Sequence, residues 1–455
     1  MNRVLIFLSI AGLTLLAATP ARSAEYTLDE CVRLAVERNE QIKAAQADFD
    51  YYRGKYHEAQ SAFWLPSVSA TFMGGGPVAP APKNIDRVTD ASNLGALGIT
   101  AAGYVIQGSV DVVWPLYTFG KLGALVDAAS AGIDAATQGV AAARDQVILD
   151  TRRAYYGVIL AREVIAVIED GRDKLREART RVKDLLDRDD PQATEKDLFK
   201  LDYYGADVES RLQEAKKGLA VAEGALRVMI GADAADEVKV KPFDLEKDLA
   251  EPGELAALID TSARTRPDLK ALAYAVEARG KLADAAGRGY YPDLFIGGGL
   301  RFSTSNLKYE TNVPNGYLIR DDLNTLGGAV GLGLRLQLDV GIKMAQEEQA
   351  RAELSKLRFQ ESLAKRGVQL QVKKAHADYQ QARAGWLAYK SGATSAKKWL
   401  TASLMNYNIG VGDTRDLLDA LVAYAQGQIQ RLKAAYDARI AWAELTQAVG
   451  GKNGD

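Results

Sequence analysis

Leu326 to Val340 reads LGGAVGLGLRLQLDV. In an extended chain Leu326, Val330, Leu332, Leu334, Leu336, Leu338 and Val340 fall on one side. Gly327, Ala329, Gly331, Gly333, Arg335, Gln337 and Asp339 fall on the other. This period of two predicts a strand over 326–340 with one apolar and one polar face. Tyr104, Ile106, Val110, Val112 and Trp114 alternate with Gln107, Ser109 and Asp111, which predicts a second strand over 103–114. Leu294, Ile296, Leu300 and Phe302 oppose Arg301 and Ser303, a third over 292–303. The weakest, over 66–76, sets Val68, Ala70 and Phe72 against Ser67, Ser69 and Thr71. Apolar-out, polar-in strands of about ten residues are the pattern of transmembrane barrels. Trp64, Trp114, Tyr290 and Tyr291 stand at strand ends, where an interfacial aromatic girdle belongs. The same alternation also fits a soluble sandwich edge or a pair of hairpins. If the strands cross a membrane, they are too few to close a barrel, which takes about eight. Open edges are not tolerated in hydrocarbon, so several copies must then share one barrel.

Proline placement predicts the helices. None lies between Pro115 and Pro191, and none follows Pro314. Proline breaks helix interiors, and both gaps are filled with Ala, Leu, Glu, Lys, Gln and Arg, the strong helix formers. Gly120 to about Arg188, and Lys343 to about Asn408, each allow a helix of roughly 100 Å at 1.5 Å per residue. The chain is also duplicated. Gln41-Ile42-Lys43-Ala44 opens a helix ending at Trp64-Leu65-Pro66, and Asp268-Leu269-Lys270-Ala271 opens one ending at Tyr290-Tyr291-Pro292. Two strands and a long helix follow each proline. Asp197 precedes Gly231 by 34 residues, and Asp416 precedes Gly450 by 34. The expected organisation is one repeat over 25–231, a polar linker over 232–262, a second repeat over 263–450 and a tail over 451–455.

Composition narrows the function. The 455 residues carry a net charge of −2, so no basic field points to nucleic acid. Cys31, the single cysteine, excludes an internal disulfide. It shares an apolar face with Leu28, Leu34 and Ala35 and reads as a small buried residue. His57 and His376 read as helix-surface residues, since neither has a second histidine at ligand spacing. Trp386, Trp399 and Trp442 read as helix-packing residues. Gly74-Gly75-Gly76 and Gly297-Gly298-Gly299 lack the Lys-Ser/Thr of a phosphate loop and read as barrel curvature. No cluster of nucleophile, base or metal ligands suggests an enzyme, and no cofactor is expected. Residues 1–24 read as a secretory signal: Asn2-Arg3, an apolar run from Val4 to Ala18, then small residues to Ala24. No apolar run of about eighteen residues follows. The exported chain is thus expected in the periplasm, outside the cell, or in an outer membrane as strands.

Together these features resemble the TolC family of outer-membrane efflux and secretion channels. The resemblance rests on Trp114-Pro115-Leu116-Tyr117-Thr118-Phe119-Gly120 ahead of an Ala-rich helix. It rests also on Tyr407-Asn408-Ile409-Gly410 followed by Asp416-Leu417-Leu418-Asp419-Ala420, and on the Pro66 and Pro292 strand starts. The helix ends Met229-Ile230-Gly231 and Ala448-Val449-Gly450 complete it, so it covers nearly the whole chain after the signal. It implies a mainly α protein with membrane β-strands: a homotrimer whose protomers each give four strands to one shared transmembrane barrel. An α-helical barrel hangs below, with an equatorial belt from the 232–262 linker and a closable tip. It implies a Gram-negative outer-membrane location, contact with outer-membrane lipid, and partnership with a periplasmic adaptor (membrane fusion protein) and an inner-membrane pump. The implied role is a passive conduit for small molecules or proteins in a tripartite efflux or type I secretion system. The alternative is a soluble periplasmic coiled-coil adaptor. Two stretches depart from the family pattern. Leu336-Gln337-Leu338-Asp339 replaces a Pro-Leu-Phe-like turn, and Leu186-Asp187-Arg188-Asp189-Asp190-Pro191 lacks a Tyr-x-x-Gly.

Asp416 and Asp419, three apart, share a helix face. Acids near a helix N-terminus also complement its dipole, and Asp413 to Asp416 resembles a capping arrangement. The resemblance matches the pair to tip-lining aspartates, which implies a pore constriction of six carboxylates per trimer. Tyr407 and Asp197 match positions that link neighbouring tip helices and hold the tip closed, and Arg415 is placed to join them. The other reading is an exposed tyrosine with unrelated surface charges. Gly412 stands where a further family link has a basic residue. Gly410-Val411-Gly412 reads as a helix-to-helix turn, and the resemblance adds an adaptor contact there.

Overall fold

The computed structural model describes residues 25–78, 103–190, 193–233, 238–247, 249–306, 324–409 and 411–451. The signal read over 1–24 and Gly410 lie outside them. In chain order the elements are β1 (Glu25–Tyr26), α1 (Leu28–Arg38), α2 (Glu40–Trp64), β2 (Ser67–Val78), β3 (Gly103–Tyr117), α3 (Lys121–Leu186), α4 (Glu195–Met229), β4 (Lys239–Val240), α5 (Leu255–Thr265), α6 (Pro267–Gly287), β5 (Asp293–Ser305), β6 (Thr325–Arg335), α7 (Val340–Asn408) and α8 (Thr414–Ala448). The two proline-poor stretches are the two longest helices, α3 with 66 residues and α7 with 69. The chain divides into two compact units. One holds residues 45–140 and 267–366, the other 1–44, 141–266 and 367–455.

The first unit contains an antiparallel sheet in the order β2-β3-β5-β6. Its register merges the four alternating patterns into two whole faces. Val68, Val112, Gly298 and Val330 form one row, and Phe72, Gly108, Phe302 and Leu326 another. The opposite face is lined by rows such as Thr71, Ser109, Arg301 and Gly327. Leu326, Val330 and Leu332 are 82%, 83% and 75% exposed, so nothing among the described residues covers the apolar face there. Strand glycines are covered by cross-strand rings. Phe302 lies where a side chain at Gly108 would be, and Phe295 does the same over Gly333 on the polar face. Among the described residues β2 and β6 each pair with one strand only, which leaves both edges open.

The sheet meets its helices at two corners built differently. After β3, Gly120 takes φ +80°, open to glycine, and Arg288 Nη1 donates to its carbonyl at 2.8 Å. After β6, Lys343 is only 8% exposed. Its ammonium donates to the carbonyls of Gly289 at 2.7 Å and Gln337 at 2.8 Å. This corner pulls Leu336 to Asp339 out of the sheet, so β6 ends at Arg335 although the alternation continues to Val340.

The second unit shows the duplication in its joints. Asn39, between α1 and α2, donates from Nδ2 to the carbonyl of Met229 at 3.3 Å. Arg266, between α5 and α6, donates to the carbonyl of Ala448 at 3.2 Å. The helix ends they cap are followed by Gly231 and Gly450, both with positive φ. α5 starts at Leu255, inside the stretch read as linker, because Leu258 and Ser262 are buried by helical spacing. The rest of the linker is strapped down through its backbone carbonyls, which must find donors when covered. Arg162 donates to Val240 at 2.9 Å, Tyr155 to Lys241 at 3.1 Å, Arg439 to Leu245 at 3.1 Å and Arg383 to Leu249 at 3.3 Å. The Glu246 carboxylate accepts from Trp386 Nε1 and Arg431 Nη1, both at 3.2 Å.

Cys31 is fully buried in this unit beside Leu34, Tyr155 and Leu226, and burial pushes its thiol up to about 12. A maleimide should leave Cys31 unlabelled in the folded protein at mildly alkaline pH and react after denaturation. Labelling of the native protein at the rate of a free cysteine contradicts this packing.

Candidate functional site

The end of α3, the start of α4, the end of α7 and the start of α8 share an apolar cluster that includes Val182, Leu201, Leu400, Tyr407, Leu417 and Leu421. Leu417 and Leu418 turn into the cluster, which leaves Asp416 and Asp419 on the exposed side of α8. Asp413 caps the helix, accepting from the backbone N–H of Arg415 at 3.2 Å. Asp416 is therefore not needed for the cap. Its Oδ2 accepts from Ser403 Oγ at 2.6 Å and its Oδ1 from Trp399 Nε1 at 3.2 Å, both on α7. Trp399, read from the sequence as a helix-packing residue, is instead 43% exposed and serves Asp416, and Ser403 is the residue that sequence reasoning missed. The available signal was their i, i+4 spacing, which sets two donors on one face of α7.

Arg415 reaches Asp419 at 3.8 Å across one helical turn, with both side chains more than half exposed. Such a pair contributes at most about 1 kcal/mol. Asp197 closes a capping box at the start of α4. Its Oδ2 accepts from the Thr194 backbone N–H at 3.2 Å and from Thr194 Oγ1 at 2.6 Å, and Lys200 Nζ lies 3.4 Å from Oδ1. Tyr407 is 7% exposed, so it is a packed core residue and not a surface tyrosine. Burial pushes its hydroxyl up. Thr414 opposes this, the neighbouring Asp197 charge adds to it, and Arg181 draws it down. The structure thus brings Tyr407 near Asp197 and pairs Arg415 with Asp419.

Gly412 is held close to its own chain. A Cβ there would stand 2.7 Å from the Tyr407 nitrogen and 2.9 Å from the Asn406 carbonyl carbon. A basic side chain at this position has no room unless the backbone moves. Val411 beside it is 79% exposed.

Residues 31–182 and 258–451 match the family model described as outer membrane efflux protein. The chain belongs to this family. It is an export channel of the outer membrane that extends into the periplasm, in a family of transport proteins, which sets the soluble-adaptor reading aside. No curated protein matches the sequence. Solved structures share its fold. The Campylobacter jejuni CmeC outer membrane channel is 16% identical with a TM-score of 0.75, covering 100% of this chain and 95% of that one. The Neisseria gonorrhoeae MtrE outer membrane channel, in its open state, is 19% identical with a TM-score of 0.72, covering 93% and 89%. The Vibrio cholerae outer membrane protein VceC is 16% identical with a TM-score of 0.71, covering 93% and 96%. The fold of this efflux protein is accordingly the mainly helical fold with membrane strands, in two internal repeats.

The Tyr407 ring, more than its hydroxyl, is what the cluster uses. Tyr407→Phe should change the unfolding free energy in detergent by less than about 1 kcal/mol. Tyr407→Ala should cost about 3–5 kcal/mol. Equal damage from both substitutions contradicts this assignment.

Proposed function

We propose that three copies of this chain join edge to edge into one closed β-barrel and act as a passive exit duct. The sheet supports this with two open edges and one unbroken apolar face. Its strands are also long enough. The 11 residues of β6, at about 3.4 Å each and tilted about 40°, reach roughly 28 Å, enough for an apolar band about 25 Å tall. The apolar face then meets lipid, and the Ser/Thr/Gly face with Asp111 and Arg301 lines the lumen. Uncovered apolar residues on α7, Phe359 at 76% and Leu363 at 66% exposure, are suited to packing against a neighbouring copy in a helical wall.

In this reading Asp416 and Asp419 ring the pore at the tip, Asp416 held in place by Ser403 and Trp399 and Asp419 beside Arg415. Tyr407 and Asp197 link the tip helices, and Arg415, paired with Asp419 within α8, is placed to join them in the assembled tip. Gly410, Val411 and Gly412 are the residues that a periplasmic adaptor contacts, and an inner-membrane pump supplies the energy. The cargo is small molecules or proteins of a tripartite efflux or type I secretion system.

The purified mature protein in detergent should be a trimer and should conduct ions in planar bilayers. Changing Asp416→Asn and Asp419→Asn together should weaken block by a multivalent cation at least severalfold, since charged rings attract cations. A stable monomer without conductance would end the channel proposal. Unchanged block in a conducting trimer would remove these two residues from the pore.

A further inference from the structure

The polar face of the sheet, where it meets the helix ends, carries a groove of about 480 Å³. That lies within the roughly 300–1,000 Å³ of small-molecule sites. Leu65, Pro66, Val113, Pro115, Leu122 and Phe295 give it apolar walls. Three charged side chains enter it: Lys121, Asp293 and Arg335. Lys121 and Asp293 neutralise each other at 2.6 Å, with about 30% of each side chain exposed. Arg335 is left over. It is exposed, its guanidinium carbon stands 5.1 Å from the centre of the Phe295 ring, and it has no carboxylate partner among the described residues. The Phe295 ring is held in place because Gly333 and Gly297 leave room for it.

An apolar groove with an aromatic wall and one unneutralised, aromatic-stacked guanidinium complements a particular class of molecule. We propose that this groove binds amphipathic organic anions: a flat apolar body against Phe295, Val113 and Pro115, and a carboxylate or sulfonate on Arg335. Its placement on the cargo route rests on the reading of the polar face as lumenal. Three copies then make a binding station between the strand and helix portions of the duct, distinct from the aspartates of the tip.

The test uses the full mature protein in lipid nanodiscs and 2-naphthalenesulfonate as the probe, with equilibrium dialysis as the readout. Binding should saturate. It should weaken roughly tenfold in R335Q, the loss of one charge-assisted contact, and severalfold in F295A. R301Q removes a charge of the same face outside the groove and should bind as the wild type does. Inorganic sulfate, which lacks the apolar body, should not compete. Competition by sulfate, or equal affinity in wild type, R335Q and F295A, overturns the proposal. If R335Q does not assemble, F295A and R335K carry the same comparison, and wild-type affinity in both overturns it. In planar bilayers the probe should also reduce the current. Saturable, Arg335-dependent binding without block supports the groove and counts against the lumenal reading of that face.

Discussion

Hydrocarbon offers no hydrogen-bond partner to a peptide group, so a strand in a membrane must be paired on both sides. Among the described residues β2 and β6 are paired on one side only, while their apolar residues are bare. Much of the remaining architecture follows from that conflict. A sheet that cannot close by itself needs copies, and copies arranged about one axis need long helices to line it. α3 and α7 supply these, with sequences free of proline over their whole lengths.

The two repeats keep one plan and solve its joints with different chemistry. Arg288 serves the carbonyl of Gly120 at one sheet-to-helix corner, and the buried Lys343 serves two carbonyls at the other. Asn39 and Arg266 stand at equivalent joints and reach equivalent helix ends. The linker is held the same way, by Arg and Tyr donors on its carbonyls and by Glu246 beneath Trp386 and Arg431. Buried or half-buried cations here mostly satisfy backbone acceptors. Truncating one leaves a covered carbonyl unpaired, which costs more than a surface ion pair returns.

What the sequence made legible was periodic. Alternation at Leu326 to Leu334 locates a strand because successive side chains of an extended chain point to opposite faces. The empty proline intervals locate long helices because one proline would break them. The spacing of Asp197 to Gly231 and Asp416 to Gly450 locates the duplication. The end of β6 was not legible, since Leu336 and Leu338 keep the rhythm while Lys343, several residues on, claims the carbonyl of Gln337. The start of α5 was hidden because its polar surface resembles linker. At the start of α8, the carboxylates of Asp416 and Asp419 could be placed on one helix face by spacing. The donors to Asp416 could not, because Ser403 and Trp399 come from another helix. Tyr407 was ambiguous because a tyrosine suits surface and core alike, and only the packing of Leu400, Leu417 and Leu421 around it decides.

The central claim is that lipid touches one face of the sheet and water the other. Single cysteines at successive positions from Leu326 to Leu334, spin-labelled in reconstituted protein, test it directly. Accessibility to a lipid-phase relaxant should peak at Leu326, Val330, Leu332 and Leu334, and accessibility to a water-soluble one at Gly327, Ala329, Gly331 and Gly333. Labels at both parities that respond alike to the aqueous relaxant, with no lipid-phase maximum, would contradict the account.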